Sequence, residues 1–379
     1  MKILKYKDRI GTIAYYTGLI LEIYNSFSGY MYGGAYMPYV ILAGMACLAL
    51  AFVLSLDVRD KKAMVMMAII LIYGLICYYF QRSALVLRIA LVVLPGRKQD
   101  MHRIVSVFFY GTAAIMLIGM IASFMGIGGP LSITDLYRNE PEKRYAFGFR
   151  HPNGFALFIF RTFLLGLYAL KDRLKLWSLA LYAAVIIVFQ LFAGSKAGIA
   201  FTILVVICRI WGHYVKGRIA PLLLSIGAYI MMAVEAVLVI MAGNQNFFYQ
   251  YQWFHIFWFR INNVVTGRLM YSRDLFNSQS LTFFGIPTGE TLCEIGYINA
   301  MFAEGMVFLA LYIIILVILI RYYRKHNDTA ALAVIIGILA YTMAESFLSY
   351  ANKNVIWLLC IGVIAAHESG HREISDSNE

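Results

Sequence analysis

The chain has 379 residues, of which 61% are hydrophobic and 14% charged, with a mean hydropathy of +0.73 and a formal net charge of +12. Soluble domains average about half apolar and a quarter charged, so an ordinary soluble enzyme or binding module is excluded and an all-α polytopic integral membrane protein is expected. The basic residues lie mostly in short loops, where they set topology, so nucleic acid is not expected as a partner.

Apolar runs near the roughly 20 residues needed to cross a hydrocarbon core recur along the chain. They predict about twelve transmembrane helices, near 10–28, 38–56, 63–80, 83–96, 104–126, 152–170, 176–193, 197–211, 219–242, 296–320, 329–348 and 354–366. Glu22 weakens the first, and the fourth is short and carries Arg88, as a half-helix would. No soluble domain remains between them, so residues 1–379 are expected to form a single integral membrane domain. Lys2, Lys5, Lys7 and Arg9 precede the first span and place the N-terminus in the cytoplasm. With twelve spans the C-terminal tail, 367–379, is cytoplasmic as well. The first span has no small-residue cleavage site behind a short apolar core and is expected to be retained.

In this topology two extracellular segments exceed the dozen or so residues that a plain connection needs. The first, 127–151, follows the breaker cluster Gly126-Ile127-Gly128-Gly129-Pro130 and carries Arg138, Glu140, Glu142, Lys143 and Arg144. It ends in Gly148-Phe149-Arg150-His151-Pro152-Asn153-Gly154, where an Arg-His pair at the mouth of a span costs free energy unless it meets water, an anion or a polar partner. Gly194-Ser195-Lys196-Ala197-Gly198 makes a tight outer turn. The second segment, 243–295, begins with an aromatic run from Phe247 to Phe259, suited to an interfacial belt or to packing on sugar rings. It continues with Thr266-Gly267-Arg268. Arginines on the outer side run against the topological bias, and Arg grips phosphate bidentately. They read either as an anion site or as partners of lipid head groups and of Asp135, Glu140, Glu142 and Asp274. The five cysteines, Cys47, Cys77, Cys208, Cys293 and Cys360, are scattered, with neither disulfide framework nor metal-ligand spacing. Glu22, Glu235 and Glu304 lie in or near spans, as proton-relay groups or in helix–helix hydrogen bonds.

The order of these features resembles the bacterial O-antigen and capsule polymerase/ligase family, the Wzy-type repeat-unit polymerases. The resemblance rests on the segments 148–154, 194–198 and Thr266-Gly267-Arg268. It continues with Phe284-Gly285, Gly296-Tyr297-Ile298-Asn299 before Glu304-Gly305, and Ala344-Glu345-Ser346. It implies a GT-C-like glycosyltransferase architecture in the bacterial cytoplasmic membrane. The implied reaction joins polyprenyl-diphosphate-linked oligosaccharide repeat units on the outer face, with a diphosphate leaving group and neither cofactor nor metal. Membrane lipids, a flippase and a chain-length regulator would be its other partners. His151 or Glu294 would take the proton of the acceptor hydroxyl. Arg150 and Arg268, then Arg138, Arg144, Lys196 and Asn153, would bind substrate. His151 before Pro152 also fits a helix N-cap. A polysaccharide ligase uses the same site logic, and a lipid-linked oligosaccharide flippase remains a third reading. A flippase should show an internal repeat and polar residues at mid-membrane; no repeat is seen, and the polar residues gather mainly at the outer face.

Overall fold

The computed structural model describes residues 2–28, 37–57, 60–137, 140–215, 217–265, 267–287 and 292–376. In chain order the helices are α1 (Lys2–Ser28), α2 (Met37–Ser55), α3 (Lys61–Gln81), α4 (Leu85–Gly96), α5 (Met101–Phe124), α6 (Pro152–Ala169), α7 (Leu176–Phe192), α8 (Lys196–Tyr214), α9 (Ile219–Gly243), α10 (Gln245–Gln250), α11 (Gln252–Val264), α12 (Arg268–Ser278), α13 (Gly296–Ala303), α14 (Met306–Lys325), α15 (Thr329–Thr342) and α16 (Ile356–Asp376). Between α5 and α6 a hairpin of β1 (Ser132–Tyr137) and β2 (Glu140–Tyr145) is the only β-sheet among the described residues.

Each of the twelve expected spans overlaps helix, in whole or in part. Seven are long and apolar enough to cross a membrane: α2, α3 from Ala63, α5, α6, α8, α9 and α14. Four others, α4, α7, α15 and the part of α16 up to Glu368, are apolar but shorter, and α1 carries Lys7, Asp8, Arg9 and Glu22 along its length. The architecture is that of an all-helical, multi-pass membrane protein.

The chain divides into two compact units. The first comprises Met1–Ile69, Arg88–Ile210 and Ala351–Glu379. At its centre is α6, buried at every position but Asn153, as expected of a helix that is apolar all round. Phe155 and Phe163 meet Phe189 and Tyr182 of α7, Phe158 meets Phe27 of α1, and α1 packs on α2 and α5. The charges that weakened two expected spans satisfy each other here. Arg88 donates through Nε to Glu22 Oε1 at 3.0 Å and its Nη2 pairs with Oε2, while Asn352 Nδ2 reaches Glu22 O at 3.1 Å. Arg161, in the middle of α6, donates to Ser26 Oγ at 2.9 Å, Thr112 Oγ1 at 2.8 Å and the Asn352 carbonyl. Buried charge persists only when paired and hydrogen-bonded.

The second unit comprises Ile70–Leu87 and Trp211–Tyr350. Its central helix is α15, buried from Ala330 to Thr342 and packed against α9 and α14. Two expectations are corrected here. The run 296–320 is not one helix: it breaks at Glu304–Gly305 into α13 and α14, with Gly305 at φ +94. The break accommodates the loop segment 282–285, whose Thr282 and Phe283 carbonyls accept the N–H groups of Met306 (3.0 Å) and Val307 (3.2 Å). A Cβ on Gly305 would lie 2.4 Å from Phe283 O. Gln81, at the end of α3, donates Nε2 to Phe284 O at 3.0 Å and Glu304 O at 3.1 Å. The run 329–348 likewise ends as a helix at Thr342, and residues 343–350 continue as a largely buried turn.

Candidate functional site

In the first unit the expected extracellular segment 127–151 contributes the β1–β2 hairpin, with Ser132 opposite Tyr145 and Tyr137 opposite Glu140. Arg138 lies outside the described residues. After β2 the chain turns at Phe147, whose ring sits among Tyr145, Phe155 and Phe189. It then enters α6 through His151, the N-cap: backbone extended, Pro152 next, and ring Nδ1 accepting the Asn153 N–H at 3.1 Å. A ring nitrogen that accepts a hydrogen bond carries no proton, so a neutral His151 holds its hydrogen on Nε2. The one lone pair able to take a proton is used by the cap. Of the two roles expected of His151, the helix cap is therefore the one its geometry fulfils.

Arg144 joins two motifs far apart in sequence. Its guanidinium, on a residue only 8% exposed, donates through Nε to Ala193 O at 2.8 Å and through Nη2 to Asn153 Oδ1 at 2.7 Å. It thereby pins the first turn of α6 to the α7–α8 turn. Gly194 in that turn has φ +65, and a Cβ there would lie 2.8 Å from Arg144 Nε. Ser195 Oγ accepts the Gly198 N–H at 3.1 Å and closes the start of α8. Of the residues expected to bind substrate, Arg144, Asn153 and the turn bearing Lys196 are thus brought together. Arg144 and Asn153 bond to each other within the protein, and Arg150 and Lys196 are exposed.

In the second unit Arg268 occupies the first turn of α12, where a cation opposes the helix dipole. Two carboxylates offset it. Glu294 Oε2 lies 2.5 Å from Arg268 Nε, and Glu345 Oε1 lies 3.7 Å from Nη2. The Arg268 side chain is 13% exposed, while that of Glu294 is 50% exposed. Glu294 is held from behind: Asn299 Oδ1 accepts the N–H groups of Leu292 (2.8 Å) and Cys293 (3.3 Å), which fixes the turn leading into α13. Asn262 Oδ1 accepts the Met270 N–H at 3.1 Å and ties α11 to α12, and Trp258 Nε1 anchors α11 to Met241 O at 3.0 Å. The rest of the aromatic run, Trp253, Phe254, Phe257 and Phe259, is exposed on a helix of 13 residues, too short to span a membrane.

Behind this cluster, Thr342 Oγ1 lies 2.6 Å from Glu235 Oε1, linking α15 to α9. The second Glu235 oxygen and the Tyr297 hydroxyl are buried with no hydrogen-bond partner among the described residues. Gly296 lets α13 approach closely, since a Cβ there would lie 3.0 Å from Thr342 Cβ. Burial pushes the Cys293 thiol up to about 12.

The clustering changes the chemical reading in two ways. Glu294 is a half-exposed carboxylate held against Arg268 and open to a substrate group. Arg268 is already opposed by two carboxylates, so an anion there must share it with Glu294 and Glu345. Sequence reasoning quoted Glu345 and Asn299 within motifs but gave neither a place at the site. Only the pairing across more than seventy residues reveals Glu345 as the second partner of Arg268. Among the described residues, no group of three or more His, Cys, Asp or Glu side chains could hold a metal ion. Comparison with protein-family models, with characterised proteins and with solved structures finds no match.

Proposed function

We propose that the protein is a glycosyltransferase of the bacterial cytoplasmic membrane that polymerises polyprenyl-diphosphate-linked oligosaccharide repeat units on the outer face. The observation that supports this reading is the Arg268–Glu294–Glu345 cluster, a fixed, half-exposed carboxylate beside a guanidinium on a large segment outside the spans. In the proposed reaction the acceptor hydroxyl oxygen attacks the anomeric carbon of the donor glycan, and its proton passes to Glu294. The bond from that carbon to the diphosphate breaks, and its electron pair leaves on the diphosphate oxygen. Positive charge near that oxygen lowers the barrier where negative charge develops, a role for Arg268. Glu294 is preferred to His151 as the base because the His151 lone pair is engaged in the α6 cap.

The test uses membranes containing the full chain, supplied with purified lipid-linked repeat unit. Oligomers on the lipid carrier are expected, and Glu294→Gln should abolish them at matched protein level. Transfer of finished glycan to a different acceptor, without lengthening, would identify a ligase. Movement of lipid-linked units across the bilayer without new glycosidic bonds would identify a flippase.

A further inference from the structure

The second unit holds a cavity of about 630 Å³ that the proposed reaction does not use. It is lined by Arg218, Leu222, Arg321, Arg324, Lys325 and Asn327. Four of the six are cations, and no carboxylate is among them. Arg218 is the N-cap of α9, and Arg321, Arg324 and Lys325 come from the end of α14, which packs against α9. The spacing 321, 324, 325 puts all three on one helix face, where like charges repel. The nearest carboxylate in sequence, Asp328, accepts the Ala331 N–H at 2.9 Å and caps α15. Four cations around one concave space are stable together when an anion sits among them.

An independent observation says what kind of anion. Both α9 and α14 are long and apolar enough to cross a membrane, so the cavity lies at a membrane rim. An exposed apolar stripe runs away from it on each helix. On α9 the stripe is Leu222, Ile226 and Ile230, 45%, 45% and 52% exposed, at successive steps of four. On α14 it is Ile318 and Ile314, three and seven residues before Arg321, 50% and 54% exposed. A soluble phosphate would use the cations alone; a lipid would use cations and stripes together.

We propose that this cavity binds the phosphate of an anionic phospholipid, whose acyl chains lie along the α9 and α14 stripes. The site is independent of the Arg268–Glu294–Glu345 cluster and does not require the polymerase reading.

The experiment is intact-complex mass spectrometry of the full-length protein released from detergent, titrated separately with phosphatidylglycerol, phosphatidylcholine and inorganic phosphate. Phosphatidylglycerol should be retained in preference to phosphatidylcholine. Arg321→Gln combined with Arg324→Gln should weaken that retention about thirtyfold, from the usual contribution of a cation near a membrane surface. Arg173→Gln with Lys175→Gln, which removes two exposed cations elsewhere, should leave it unchanged. If the double variant does not fold, Arg218→Gln on the other helix should still weaken retention about fivefold. Equal retention of phosphatidylcholine, or unchanged retention in the folded variants, would overturn the proposal. So would displacement of phosphatidylglycerol by an equal concentration of inorganic phosphate, which would make this a soluble-anion site.

Discussion

The Arg144 staple makes a quantitative prediction, because each of its parts can be removed separately. Arg144→Ala deletes two hydrogen bonds from a charged donor, at 2.8 and 2.7 Å. At roughly 1.5–3 kcal/mol each, the loss is about 3–6 kcal/mol. Gly194→Ala acts on the same contact from the other side. The φ of +65 costs about 1–2 kcal/mol for a residue with a Cβ, and the new methyl group, 2.8 Å from Arg144 Nε, forces the guanidinium off Ala193 O. That adds one lost bond, about 1.5–3 kcal/mol. In the Arg144→Ala background the methyl meets no guanidinium, so Gly194→Ala should cost only its backbone strain. The double-mutant cycle should therefore give a coupling of about 1.5–3 kcal/mol. The measurement is unfolding free energy of the purified protein in detergent, by denaturant titration followed by circular dichroism. Costs that add to within about 0.5 kcal/mol would mean the two residues act independently, and the staple would be refuted.

Three further predictions concern the proposed chemistry and topology. His151→Asn, which preserves a side-chain cap, should retain most polymerising activity, whereas His151→Ala should cost about 1 kcal/mol of stability; a loss of activity above about 100-fold in a normally stable asparagine variant would restore His151 as the base. Arg268→Ala should lower the polymerisation rate about 100- to 1,000-fold at matched protein level, with Arg268→Lys in between because a compact ammonium keeps the charge but lacks the planar fork that faces Glu294 with Nε and Glu345 with Nη2; a wild-type rate in the alanine variant would remove Arg268 from the site. Cysteine placed at Glu142 should react with an impermeant thiol reagent on intact cells and one at Asp172 should not. Native Cys293 should stay silent at pH 8, since with a pKa of about 12 its reactive thiolate appears only as pH rises far above that of the assay; labelling at Asp172 from outside would reverse the orientation.

Hydropathy alone located every apolar helix, because the cost of exposing a backbone to lipid is paid locally, within each helix. The His151–Pro152 helix start was also legible, since a cap and its helix are neighbours in sequence. What stayed hidden depends on distant partners. Glu22 and Arg88 each looked like a flaw in a span until they met. Arg144 looked like a loop cation, yet its acceptors lie on α6 and in the α7–α8 turn. The run 296–320 reads as one span because Glu304 and Gly305 are flanked on both sides by apolar residues, and the segment that needs the break lies twenty residues earlier. The division into two units is equally unmarked, as composition is much the same on either side of each boundary.

Gln81 carries a consequence for judging natural variation in this chain. Where α13 stops and α14 starts, the backbone gives up pairings that a continuous helix would make for itself, and one side-chain amide from α3 serves both the Glu304 carbonyl at the break and the Phe284 carbonyl of the facing loop. A leucine at this position would lengthen the apolar stretch of α3 and improve its score on any hydrophobicity scale. It would also leave Phe284 O and Glu304 O without this donor. Ranking variants by how well they suit a bilayer would therefore invert the order at this site, favouring the allele that assembles worse.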